Sequence, residues 1–211
     1  MNLQTIPYHS YEKGLPQEGN IILGQRRANH IFVYQAFNDR IADFAIKHQK
    51  FGGPAYSFNR MTWIKPNFLW MMYRSGWSEK DINQSRILAI EMTFEGFEEL
   101  LNEGVLTSYD KSFGDEQIWR EKLSNSQVRI QWDPDHDYKG DKLNRRAVQI
   151  GIKNEALQNF NDEFITSIQD ITNFVKEQKK LIDLSIGGFL VIQEEVIEVS
   201  DQLKSKFSIL K

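Results

Sequence analysis

The run Asn59-Arg60-Met61-Thr62-Trp63-Ile64-Lys65-Pro66-Asn67-Phe68-Leu69-Trp70-Met71-Met72-Tyr73-Arg74-Ser75-Gly76-Trp77 carries the densest pattern in the chain. Residues from Tyr56 to Ile64 read as extended. Pro66, with its fixed φ and missing N–H, suits the first position of a helix that continues to Tyr73 and stops at Gly76. One segment therefore spells a strand followed by a helix. A helix N-terminus exposes unpaired N–H groups and the positive end of its dipole, so with Arg60 and Lys65 beside it this junction suits a phosphate or a carboxylate. Trp70 and Arg74, four residues apart, share a helix face able to stack on a base or on each other. The same aromatic residues also suit a filled core, with Phe68, Leu69, Met71 and Met72 inside and Arg74 snorkelling outward.

Upstream of that segment, His30 to Phe37 is rich in β-branched and aromatic residues and reads as a strand. Asn38 is placed to cap a helix in which Ile41, Phe44, Ala45 and His48 recur, and Gly52-Gly53-Pro54 ends it. Downstream, Ile87 to Met92 reads as a strand and Phe94 to Asn102 as an amphipathic helix closed by Gly104. Val128, Ile130 and Trp132 alternate with Arg129 and Gln131, and Val148, Ile150 and Ile152 alternate in the same way, predicting two more strands. Asp133-Pro134-Asp135-His136-Asp137 with Gly140 reads as a polar connection between them. Leu157, Phe160, Phe164, Ile168, Ile171, Val175 and Ile182 predict one long amphipathic helix. Gly187-Gly188 breaks it, a strand from Phe189 to Ile192 and a Lys-rich helical end completing the chain.

These elements predict an α+β fold, a mainly antiparallel split or curved sheet with the long helix outside. The expected organisation is one domain over 1–211, with an N-terminal arm at 1–25, the helix at 155–184 and a C-terminal extension at 185–211. With 40% apolar and 26% charged residues the chain can build a core, which excludes intrinsic disorder. Twenty-six basic against 29 acidic residues give a net charge of −3, arguing against a broadly cationic nucleic-acid coat. No apolar run approaches the roughly 20 residues of a membrane span. The absence of cysteine excludes disulfides, thiolate nucleophiles and Cys-ligated metals, and the N-terminus shows no charged-then-apolar leader, so the cytoplasm is the expected compartment.

Familiar catalytic templates are missing. The four histidines stand apart from one another, and Asp133, Asp135 and Asp137 lack the glycine and glutamate of a calcium loop, so no metal site is expected. No GxSxG, GxGxxG after a strand, or GxxxxGK[ST] occurs. A second polar set remains on the strand faces, comprising Arg129, Gln131, Gln149 and, if its strand starts early, Arg145. Two arginines with two amides suit a ligand bearing phosphates and amide or base edges; a solvated sheet face is the bland alternative. Arg26-Arg27 precede the first strand as a further basic pair.

The run from Arg60 to Trp77, with Val33-Tyr34-Gln35-Ala36, Val128-Arg129-Ile130-Gln131-Trp132-Asp133-Pro134 and Val148-Gln149-Ile150-Gly151, closely resembles domain-of-unknown-function family 4291 from about Arg27 to Phe174. That resemblance supplies no reaction. An architectural resemblance, to the ADP-ribosyltransferase fold, rests on Tyr34-Gln35-Ala36-Phe37, a helix, Gly52-Gly53 and the strand with Arg60-Met61-Thr62-Trp63. It implies NAD as the cofactor, with Gln35 and Gln149 as the catalytic pair at the nicotinamide ribose and Arg27, Arg60 and Lys65 at the pyrophosphate. Tyr34, Thr62, Trp63, Trp70, Arg74, Arg129 and Gln131 complete the expected cofactor-binding set. Gln149 stands where that fold carries a catalytic glutamate, and an amide hydrogen-bonds a ribose hydroxyl without stabilising an oxocarbenium-like transition state as a carboxylate does. The expected function is nucleotide binding, with ADP-ribose transfer from NAD to nucleic acid or protein. The alternatives are a non-catalytic module binding RNA or DNA ends through Arg60, Lys65, Trp70, Arg74 and Arg129, and a protein-interaction surface on the 155–184 helix. A carboxylate within reach of Gln149 favours the enzyme. The oligomeric state is left open.

Overall fold

A computed structural model describes residues 3–110 and 114–210. The first part of the chain forms β1 (Thr5–Pro7), α1 (Tyr8–Tyr11), β2 (Gly19–Asn20), β3 (Leu23–Gly24), β4 (Arg26–Arg27), β5 (His30–Phe37), α2 (Asp39–His48), β6 (Thr62–Ile64) and α3 (Phe68–Ser75). There follow β7 (Arg86–Thr93), α4 (Phe94–Glu103), β8 (Val105–Leu106), α5 (Glu116–Asn125), β9 (Val128–His136) and β10 (Lys142–Ile152). The last part holds α6 (Asn154–Asn159), β11 (Ile165–Asp170), α7 (Thr172–Asp183), β12 (Leu190–Ile192), β13 (Glu195–Val196) and α8 (Asp201–Phe207).

Two main sheets result. The first, in the order β11-β7-β5-β4, is antiparallel throughout. The second runs β2-β10-β9-β8, with β6 antiparallel on the same edge of β10 that β2 uses further along. The sheets touch where Tyr34 of β5 and Lys65, just past β6, exchange both backbone hydrogen bonds at 2.7 and 3.2 Å. This is a split, mainly antiparallel α+β arrangement. The alternation along β5 explains the layering: Ile31 and Val33 face the core between the sheets, and Phe32 and Tyr34 face a second core under α3 and α7. Asn38 caps α2 by accepting the Ile41 N–H, and Thr93 caps α4 by accepting the Gly96 N–H.

Several expectations need correction. The segment 155–184 is not one helix. It forms α6, a turn of π-helix over Phe160–Phe164, strand β11 and then α7. β7 presents an open edge next to a β-branched stretch, and pairing of Ile168 with Ile90 and Asp170 with Leu88 outweighs the 3.6-residue apolar period. The new edge is sealed by Gln49, whose side chain accepts from Ile168 N–H and donates to Ile168 C=O. The N-terminal arm is also tied down, β1 pairing with β12 and β3 with β13. Pro66 does not begin α3: Asn67 is its N-cap, accepting the Trp70 N–H, so Pro66 lies outside the helix. The Asp133–His136 stretch continues β9 as paired strand, and α5 has no counterpart in the sequence reading.

Candidate functional site

Past the Tyr34–Lys65 bridge the two sheets splay apart, and a cleft of about 860 Å³ opens there. Gln35, the next residue of β5, turns its amide into the split. Its Nε2 donates to Thr62 Oγ1 at 2.6 Å and to the Trp63 carbonyl at 3.2 Å, supplying donors that the interrupted ladder lacks. Its Oε1 is buried and without a partner. A buried acceptor left in this state costs about 1–3 kcal/mol unless a ligand donates to it.

On the opposite wall stand Gln131 of β9 and Gln149 of β10, which the strand register places directly across from each other. Both amides converge on Asp133: Gln131 Nε2 donates to Oδ1 at 2.9 Å and Gln149 Nε2 to Oδ2 at 2.7 Å. A carboxylate only accepts, so this contact fixes both amide orientations and leaves each Oε1 as the free end. Gln35 is oriented likewise by the carbonyl of Trp63. The cleft is thus lined by three amides that present acceptors.

The cations are as one-sided. Lys65, 5% exposed, lines the cleft and donates only to the Trp63 carbonyl, at 3.3 Å. Burial, then the neighbouring Arg74, push its amine down to about 7, against an opposing pull from Asp133. Arg60 and Arg74 line the same cleft with exposed side chains. Among the described residues, none of these three cations has an ion-pair partner, in contrast to Arg86, which binds Asp39, Asp43 and Asp170.

The structure therefore gathers Gln35, Arg60, Thr62, Trp63, Lys65, Arg74, Gln131 and Gln149 around one cavity. It places the other four elsewhere. Arg27 is exposed on β4, and Tyr34 is fully buried in the second core. Arg129 turns toward α5, where it donates to the Leu123 carbonyl at 3.4 Å. Trp70 is buried and stacks against both His136 and Tyr73, which also stack on each other. Arg60, Lys65 and Arg129 consequently do not form one anion site, although the first two share the cleft.

The acceptor at the N-terminus of α3 is supplied by the chain itself. Glu194 accepts the Phe68 N–H at 2.6 Å and the Tyr11 hydroxyl at 2.6 Å, and burial pushes its carboxyl up to about 8. Nearby, at the hairpin end of β9 and β10, the buried Arg145 is saturated: Nε donates to Asp135 at 2.6 Å and both terminal nitrogens donate to Glu12 at 2.9 Å. Arg145 therefore does not belong to the cleft.

The residue that sequence reasoning passed over is Asp133. It was legible in principle, since Arg129, Gln131 and Asp133 keep the two-residue period of one strand face; ending the strand at Trp132 hid it. Among the described residues no group of three or more His, Asp or Glu side chains is arranged to hold a metal ion, and no helix is long and apolar enough to cross a membrane.

Residues 21–195 match the family model described as "Domain of unknown function (DUF4291)". No curated protein matches the chain.

Proposed function

The chain belongs to the DUF4291 family, and we propose that its cleft binds a nucleotide-type ligand, with NAD as the leading candidate, and transfers ADP-ribose to nucleic acid or protein. The observation that carries this reading is Asp133, a carboxylate 2.7 Å from the amide of Gln149, which lines the cleft together with three cations that have no ion-pair partner among the described residues. Lys65, Arg60 and Arg74 suit the two phosphates of a pyrophosphate. The acceptor ends of Gln35, Gln131 and Gln149 suit ribose hydroxyls and a carboxamide NH2, which are donors. In the transfer the bond between ribose C1 and the nicotinamide nitrogen would break with its electron pair leaving on nicotinamide, while a hydroxyl, amine or base nitrogen of the acceptor would bond to C1 and release its proton to solvent. The positive charge left on the ribose then faces an amide polarised by Asp133 through Nε2–H. That arrangement returns part of the charge stabilisation lost by having glutamine in place of glutamate.

The competing nucleic-acid module loses support, because Trp70 is buried against His136 and Arg129 is turned to α5. The helix-interface reading goes with the helix itself. Thermal unfolding with NAD, ADP-ribose, mononucleotides and short RNA tests the proposal. A ligand at 100 times its dissociation constant adds about 2.7 kcal/mol of stability. NAD is expected to raise the melting temperature, and labelled NAD to transfer its label to an acceptor in wild type but weakly in Asp133→Asn. Absence of any shift with millimolar NAD defeats the reading.

A further inference from the structure

Lys65 follows β6 at the point where both its backbone groups pair with Tyr34, and Pro66 succeeds it, so its main chain is held on both sides. Its side chain enters the cleft almost wholly buried, and its nitrogen has one long hydrogen bond to a carbonyl two residues back. The carboxylate whose field reaches it, Asp133, has both oxygens engaged by Gln131 and Gln149. A lysine serving as a structural cation would be paired, and one serving as an apolar stem would carry its nitrogen to bulk water. Lys65 does neither.

We propose that Lys65 is a reactive amine that condenses with the carbonyl carbon of a phosphate-bearing aldehyde or ketone held in the cleft, an inference that rests on the phosphate-binding reading above. The charges that act on the amine are Arg74 from α3 and Asp133 from β9, and Arg60, from the segment before β6, lines the same cleft. Burial and Arg74 together favour the neutral amine at physiological pH, and Arg60 with Arg74 place a phosphate beside it. The nitrogen lone pair forms the C–N bond as the carbonyl electron pair moves to oxygen. Proton transfer from nitrogen to oxygen gives a carbinolamine, and loss of water leaves an imine. No oxidant or reductant is consumed. Ring-opened ADP-ribose, whose C1 is an aldehyde, belongs to this substrate class, as do simple sugar phosphates.

Pyridoxal 5′-phosphate is the probe, added substoichiometrically to the full chain and trapped by borohydride, which delivers hydride to the imine carbon. Peptide mapping by mass spectrometry is expected to find Lys65 labelled at least about tenfold faster than the exposed lysines, because about half of its amine is neutral near pH 7 whereas an ordinary lysine is almost wholly protonated. The rate should rise through a midpoint near pH 7, fall several-fold in Arg60→Ala, and lose its fast phase in Lys65→Arg. Label spread over surface lysines with Lys65 silent overturns the proposal, while a retained thermal shift with NAD leaves the nucleotide reading standing. Equal speed with unphosphorylated pyridoxal overturns the phosphate requirement.

Discussion

Lys65 and Arg145 are both buried cations associated with the second sheet, yet their surroundings are opposite. Arg145 is enclosed by two carboxylates that use three of its nitrogens, and those contacts hold its guanidinium firmly charged. Lys65 has a single carbonyl, and its amine is pushed down to about 7. Taking a charge out of water costs several kcal/mol, which Arg145 recovers from its partners and Lys65 does not. The difference separates a cation that ties the turn after α1 to the hairpin end of β9 and β10 from one that has no ion-pair partner among the described residues.

The largest expected effect lies at the saturated end. Arg145→Met leaves Asp135 buried and unpaired, and denaturant unfolding should show a loss of about 3–5 kcal/mol. A loss near zero would mean that the contrast between the two cations is unreal. The opposite sign is expected for Lys65→Met, a gain of about 1–4 kcal/mol without ligand. In wild type the folded amine has the lower pKa, so the unfolded chain binds more protons between about 7 and 10.5. Wild-type stability accordingly rises with pH across that window and is lowest below it, and the Met variant should flatten the slope.

Gly151 sharpens the comparison from the side of shape. A methyl group there would approach Met61 Sδ at 2.8 Å and the Trp63 ring at 2.9 Å, pushing Trp63 off β10 toward the cleft. Gly151→Ala should cost about 1–3 kcal/mol and weaken ligand binding, both readable in thermal unfolding with and without NAD. Glu194 extends the comparison to a buried acid. Its carboxyl is raised from 4.5 to about 8, so the folded state holds the extra proton and its contribution, full below pH 4.5, is lost as pH rises to 8. Glu194→Gln should flatten most of that slope, readable in denaturant unfolding across the window. An unchanged slope between pH 4.5 and 8 would show that Glu194 is ionised throughout.

The parts of the fold legible in sequence are those with local causes. His30–Phe37 is β-branched and aromatic, Asn38 and Thr93 cap the helices that follow them, and Val128–Trp132 alternates on a two-residue period. The 155–184 segment misled because Phe164, Ile168 and Ile171 satisfy a helical period while also suiting a strand, and the choice was made by the distant edge of β7. Asp133 was hidden by Pro134, which suggested a turn but is tolerated where β9 pairs with Arg146 of β10.

By itself the sequence determined the inventory of the cleft: amides at Gln35, Gln131 and Gln149 alternating with apolar neighbours, and Lys65 before a proline. That Gln131 and Gln149 share a sheet face depended on β9 pairing with β10, and the register that sets them opposite one another came from the tertiary structure. Only the tertiary structure decided which charges are satisfied. Glu194 reaches the first N–H of α3 from 126 residues away, and Glu12 reaches Arg145 from 133, so the helix N-terminus and one arginine are filled from within while Lys65 is left alone. Periodicity reports which side of a strand a residue occupies. Whether a buried charge meets a counter-charge depends on where distant segments return, and that is set by packing of the whole chain.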